Sequence, residues 1–198
     1  MSYRHNGAHK KFITPQMTLE DDKSLAALAV AMVQNPRGTY QDLAAAVGVS
    51  RATLYRFCRT REELILRLLR HSSRRLTDGL EDAQLETGEP KQGLDRLIES
   101  HLKHKELVSF ITQYWQADSE LDPEMAADWK RNEEAIDDFF LRGQRAGVFR
   151  IDISAAALND TLVWLIIGLT DCERRGRIAG AALRSTIADL FMEGARAE

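Results

Sequence analysis

Cysteine and proline are scarce in this sequence, and no apolar run is long. The two cysteines, Cys58 and Cys172, lie far apart and fit no disulfide framework or metal-ligand spacing. A reducing, cytoplasmic setting is therefore expected. The longest apolar stretch, Leu162 to Leu169, falls well short of the ~20 residues that a membrane crossing needs, so no membrane partner is expected. Met1 to Lys11 is polar and basic, so no signal peptide is expected there. No stretch alternates apolar and polar residues for more than a few positions, so strands are not expected and the fold class is all-α. A glycine-rich phosphate loop, a zinc signature and a nucleophile–base pair are also missing, so neither an enzyme nor a cofactor is expected.

What is present divides unevenly. The net charge is −3, but residues 1–75 carry 13 Lys and Arg against 6 Asp and Glu, a balance of +7. Residues 76–198 carry 14 against 24, a balance of −10. A basic head on an acidic body puts a polyanionic partner at the N-terminal end.

The densest local signal is residues 39–64, TYQDLAAAVGVSRATLYRFCRTREEL. Thr39 is a good N-cap, and Asp42 three residues on completes a capping box. Gly48 ends this first helix in a position suited to left-handed geometry, and Val49 plugs the corner. Ser50 caps a second helix, Arg51 to Cys58. At about 100° per residue, Leu54, Phe57 and Cys58 share one side of it. Ala52, Thr53, Tyr55 and Arg56 share the other, with Arg51 at the edge. Such an exposed face on a short, capped helix suits the major groove.

The run A-x3-G-V-S-x-x-T-L-Y, followed by T-R-E-E-L, resembles the helix-turn-helix of the TetR family of bacterial transcription regulators. The resemblance covers about residues 20–70. It departs at Cys58, where the family mostly has Phe; Phe57 is next in line to fill that volume. Arg61 keeps the charge of the lysine common after the recognition helix. The implied DNA-binding set is Arg51, Thr53, Tyr55 and Arg56 in the major groove and Ala52 on a thymine methyl. Thr39, Ser50 and Arg61 are expected on phosphates, with Tyr40 beside them.

The rest of the chain reads as helices. Leu25, Leu28, Ala29, Met32 and Val33 line one that stops at Asn35-Pro36. Thr60 and Glu63 form a second capping box, opening a long helix towards Leu85 that would act as a lever. Glu86 to Pro90 breaks it. One long helix is expected over Leu94 to Trp115, a loop over Asp118 to Pro123, and another helix from Pro123 to Gly143–Gly147. The connector Arg145 to Asp152 again resembles TetR-family ligand domains. Two closing helices follow, from a Ser154 cap to about Arg174 and from about Ala179 to Ala195. The expected division is a flexible basic arm over 1–17, a helix-turn-helix DNA-binding domain over 18–76 and a ligand-binding and dimerisation domain over 77–198.

His101 and His104 at i, i+3, and the acids Glu133, Glu134, Asp137 and Asp138, read as solvated or hydrogen-bonded groups rather than a metal site. Phe110, Tyr114, Trp115, Trp129, Phe139, Phe140 and Trp164 gather in the C-terminal half, where rings at helical spacing make either an ordinary core or, because seven are hard to interdigitate at full density, a cavity. Phe110, Tyr114, Trp115, Phe139, Phe140 and Trp164 are its expected lining, with the first three facing the next two. The acidic body and the ring faces favour a lipophilic cation. Leu165, Gly168, Leu183, Ile187 and Leu190 are the expected dimerisation residues. Together with the resemblance this gives a homodimeric repressor released from a palindromic double-stranded operator by a small-molecule inducer. The alternative is a regulator or architectural protein of the same fold without an inducer.

Overall fold

Capping chemistry sets most of the helix boundaries. In the computed structural model, which describes Leu19 and residues 21–115 and 122–197, α1 (Asp22–Gln34) opens on the Asp21 carboxylate, which accepts the Ser24 N–H. Thr39 and Asp42 form the full capping box that starts α2 (Tyr40–Ala46). Gly48, at φ +70°, makes the turn. Ser50 then caps α3 (Arg51–Phe57) by accepting the Thr53 N–H at 3.0 Å. At α4 (Arg61–Asp82) the Thr60 hydroxyl accepts the Glu63 N–H. The Glu63 carboxylate overshoots the expected box and takes the Arg59 N–H instead.

The single helix expected over 94–115 is two: α5 (Pro90–Lys103) and α6 (Lys105–Tyr114), separated by the non-helical backbone of His104. That break has a packing reason. Helix α6 packs on α1 and α4, whereas α5 packs chiefly on α4, α7 and α9, so an unbroken rod would strand one half's apolar stripe in water. Helices α7 (Pro123–Arg145), α8 (Ala155–Arg174) and α9 (Gly180–Ala195) follow, α8 opening on the expected Ser154 cap and α7 on Asp122, whose carboxylate accepts the Glu124 and Met125 N–H groups. Their only bridge of β type, among the described residues, joins Phe149 to Arg196 and ties the α7–α8 connector to the end of α9. The expected arm over 1–17 and most of the 118–123 loop lie outside the described residues.

Two apolar cores result. The first gathers Leu28, Met32, Leu43, Leu54, Cys58, Leu64 and Leu68 with Phe110 and Ile111 of α6. The second joins α5, α7, α8 and α9 around Phe139, Phe140, Phe149 and Phe191, whose ring centroids lie 5.1–5.8 Å apart along the chain of contacts. Phe149 lies directly on α7: a Cβ at Gly143 would come within 2.3 Å of its ring, so only glycine admits it. Helix α4 runs through both cores, with Leu64 and Leu68 in the first and Leu80 against the second.

These cores correct three sequence readings. Phe110 does not face Phe139 and Phe140: it is wholly buried in the first core, and they are in the second. Helices α6 and α7 diverge because each apolar stripe found a different partner. Leu183 and Ile187, expected at a dimer contact, are buried in the subunit's own second core. Cys58, not Phe57, fills the head's interior; Phe57 is half-buried, with the Arg67 guanidinium over its ring at 4.7 Å. Burial pushes the Cys58 thiol up to about 11, which leaves it inert. Helix α8 is long and apolar enough to cross a membrane by length and composition, despite its short unbroken run. Here its Leu158, Leu162 and Ile166 are buried in the second core.

Candidate functional site

The outer face of α3 is built by the cap and the turn beneath it. Leu54 is fully buried and anchors the helix, which leaves Arg51, Ala52, Tyr55 and Arg56 exposed; Tyr55 keeps 55% of its surface. Arg51 and Arg56 have no carboxylate partner among the described residues, so their charges stay available to an anion. Tyr40 meets Tyr55 edge-to-face at 6.4 Å and props it outward. Burial raises the Tyr40 phenol above its ordinary value.

The remaining residues of that set are partly committed. Thr53 is half-buried, and its hydroxyl lies 2.8 Å from that of Ser50. The Thr39 hydroxyl donates to Asp42 at 2.8 Å. Arg61 donates to the carbonyls of Gly38 at 3.0 Å and Pro36 at 2.6 Å. It therefore staples the start of α4 to the α1–α2 turn, a role that nothing in its local sequence signals.

A cavity of about 440 Å³ opens where α6 and α7 diverge. Leu76 and Leu80 of α4 form one wall, with Ser100 and His101 of α5 beside them. Val108, Ile111 and Thr112 come from α6, and Trp115 caps that helix. Trp129, Asn132, Glu133 and Ile136 come from α7, and Asn159, Asp160, Val163, Trp164 and Ile167 from α8. All three tryptophans of the chain line it. Trp115 and Trp129 stack at 6.1 Å and 22°, and Trp164, 62% exposed, stands at the side of α8.

Of the expected lining, Trp115 and Trp164 reach this cavity; Phe110, Phe139 and Phe140 are core. Tyr114 stacks on Phe110 at 4.7 Å and donates its hydroxyl to the Met32 carbonyl, which turns it towards α1. Glu133, Asp160 and His101 were missed as lining, and Trp129 was counted among the rings without being placed on the wall. Trp129 and Glu133 stand at i, i+4, and their indole N–H to carboxylate bond of 2.9 Å was readable from that spacing. Among the described residues, Glu133 and Asp160 are the carboxylates of the wall, and no lysine or arginine lines it. Burial lowers the His101 pKa below its ordinary value, so its ring is neutral near pH 7. A neutral histidine, two carboxylates and three indole faces make a cavity of negative potential with apolar walls.

On the outer side of α8 and α9, Leu190 keeps 55% of its surface and Leu165 is half-buried. Gly168 is exposed, and a Cβ there would meet nothing.

The comparisons agree with this architecture. The sequence is 45% identical over 182 residues to the HTH-type transcriptional regulator NfxB of Pseudomonas aeruginosa, spanning 90% of this chain and 97% of NfxB. It is 32% identical over 117 residues to the HTH-type transcriptional repressor LfrR of Mycolicibacterium smegmatis, spanning 57% of this chain and 58% of LfrR. The crystal structure of the TetR-like regulator LfrR in complex with proflavine superposes with a TM-score of 0.67 at 24% identity, over 86% of this chain and 92% of that one. The TetR family regulator PfmR from Thermus thermophilus gives 0.61 at 27%, over 85% and 96%. No protein-family model matches the sequence.

Proposed function

The chain belongs to the TetR family of bacterial transcriptional regulators, and from that premise we propose that it is a homodimeric repressor released from a palindromic operator by a small lipophilic cation. The carrying observation is the course of α4. Its first half is fixed to the reading head through Leu64, Leu68 and the Arg61 staple, and its second half gives Leu76 and Leu80 to the cavity wall. A ligand that fills the cavity pushes on the same rod that holds the head.

In this reading residues 18–76 form the DNA-binding unit, the arm over 1–17 adds phosphate contacts, and residues 77–198 bind ligand and dimerise. Arg51, Thr53, Tyr55 and Arg56 enter the major groove. Arg61 acts on DNA through the turn that it staples as well as by its charge. The unpartnered outer side of α8 and α9, with Leu165, Gly168 and Leu190, pairs across a two-fold axis, so half-sites lie about one helical turn apart or more. Ligand binding shifts the two heads out of register, which needs a differential affinity of only about 1–3 kcal/mol between the two forms. Support for a cation comes from the two carboxylates and three indoles of the wall. It comes also from LfrR, whose fold is shared and whose ligand, proflavine, is a planar aromatic cation.

The test pairs two titrations on the full-length protein: gel shift on DNA from the gene's own upstream region, and tryptophan fluorescence with proflavine. Quenching and loss of the shifted band over the same concentrations are expected. A band unmoved at saturating quench contradicts the coupling. A monomer by sedimentation at micromolar concentration contradicts the dimer.

A further inference from the structure

We infer that the ligand accepted by this cavity is a cation bearing N–H donors, an amidinium, guanidinium or aminoaryl cation, in preference to a quaternary ammonium of equal size. This rests on the reading of the cavity as the inducer site, and it concerns which hydrogen bonds the wall has left to offer.

His101, Thr112, Asn132 and Asn159 of the wall have each spent a donor on a protein partner and kept an acceptor, and Glu133, which accepts from the Trp129 indole, keeps its second oxygen. His101 Nδ1 lies 2.9 Å from the Leu97 carbonyl. A carbonyl only accepts, so Nδ1 carries the proton and Nε2, on the opposite edge of the neutral ring, keeps its lone pair. His101 is half-buried and lines the cavity. The Asn159 amide donates to Asp137 Oδ1 at 2.9 Å; a carboxylate again fixes the amide's direction, leaving its oxygen free. Asn132 donates to the Thr77 hydroxyl at 2.8 Å and likewise keeps its oxygen. The Thr112 hydroxyl donates to Val108, and the Trp129 indole donates to Glu133 Oε1, leaving Oε2. Asp160 adds a second carboxylate.

Charge alone draws any cation. A quaternary ammonium, however, displaces water from these acceptors and returns no hydrogen bond, so each acceptor it covers is left unpaired. A cation with several N–H groups pairs them, and hydrogen bonds to a charged donor are the stronger kind. Discrimination by a site's unpaired polar groups is large compared with discrimination by apolar fit.

A matched pair separates the terms: biphenyl-4-carboxamidinium and biphenyl-4-yl-trimethylammonium share one aromatic body and one positive charge. Binding of each to the full-length protein is measured by calorimetry and tryptophan quenching, with biphenyl-4-carboxylate as the anionic arm. The amidinium is expected to bind at least about tenfold more tightly than the quaternary ion. His101→Phe, which keeps an aromatic ring and removes the acceptor, is expected to narrow that ratio. The wild-type ratio stands as a test whether or not this variant folds. Equal affinity, or a tighter quaternary ion, overturns the inference while leaving a cation-responsive repressor intact. Binding of the carboxylate alone, or of none of the three, overturns both.

Discussion

The exposed face of α3 comes from seven consecutive residues under one serine cap, whereas the cavity wall draws on five helices from Leu76 to Ile167. In the first region a helical wheel and one turn are enough to say which side chains point outward. In the second, each wall residue is chosen by where two helices part. Rings that look alike in sequence have opposite fates. Phe139 and Phe140 are sealed in the second core, while Trp129, ten positions earlier on the same helix, faces the cavity. Aromatic content marks a region as apolar; it does not distinguish a filled core from a lined hole.

The sharpest way to break this contrast is to cut one ring of each kind. Phe140→Ala removes a fully buried ring from the four-phenylalanine cluster and should cost about 3–5 kcal/mol of stability, seen as a lower urea midpoint. Trp164→Ala, at an exposed position, should stay within about 0.5 kcal/mol yet remove much of the ligand-induced quenching. Equal losses in the two variants would contradict the division between core and wall.

In the head, Arg56→Ala should leave stability unchanged and cost about 1–3 kcal/mol of operator affinity, with relaxed sequence preference. Gel shifts on the operator and on a half-site variant measure both; unchanged affinity would place the reading face elsewhere. Below that in size, Thr39→Ala removes the capping box of α2 at about 1 kcal/mol, with the loss expected in thermal unfolding.

The smallest effect is set by pH and separates the halves again. Burial holds His71, on α4 beside Asp22 of α1, and His101 and His104, of α5 and its junction with α6, below the ordinary histidine value of 6.5. The unfolded chain therefore takes up these protons first as the medium is acidified. Their contribution to stability is complete above 6.5 and is lost as the pH falls through the folded values. Asp42, Asp122, Asp152 and Asp171, all lowered by hydrogen bonds, follow only at more acid pH. The urea midpoint should drop between pH 7.5 and 5.5, and His101→Gln should shallow the drop; a flat profile contradicts it.

Sequence alone determined the all-α class, the caps at Thr39, Ser50, Thr60 and Ser154, the outward face of α3 and the charge asymmetry. Each of these depends on residues within about a turn of one another or on composition, where spacing and hydrogen-bond chemistry suffice. Only the tertiary structure decided that His104 breaks a helix, that Arg61 reaches back to Pro36 and Gly38, and that Leu183 and Ile187 are covered within the subunit. It alone also brought Glu133, Asp160 and His101 to one cavity. Those outcomes depend on which apolar stripe meets which partner, and helical periodicity records the face of a stripe without recording what lies against it.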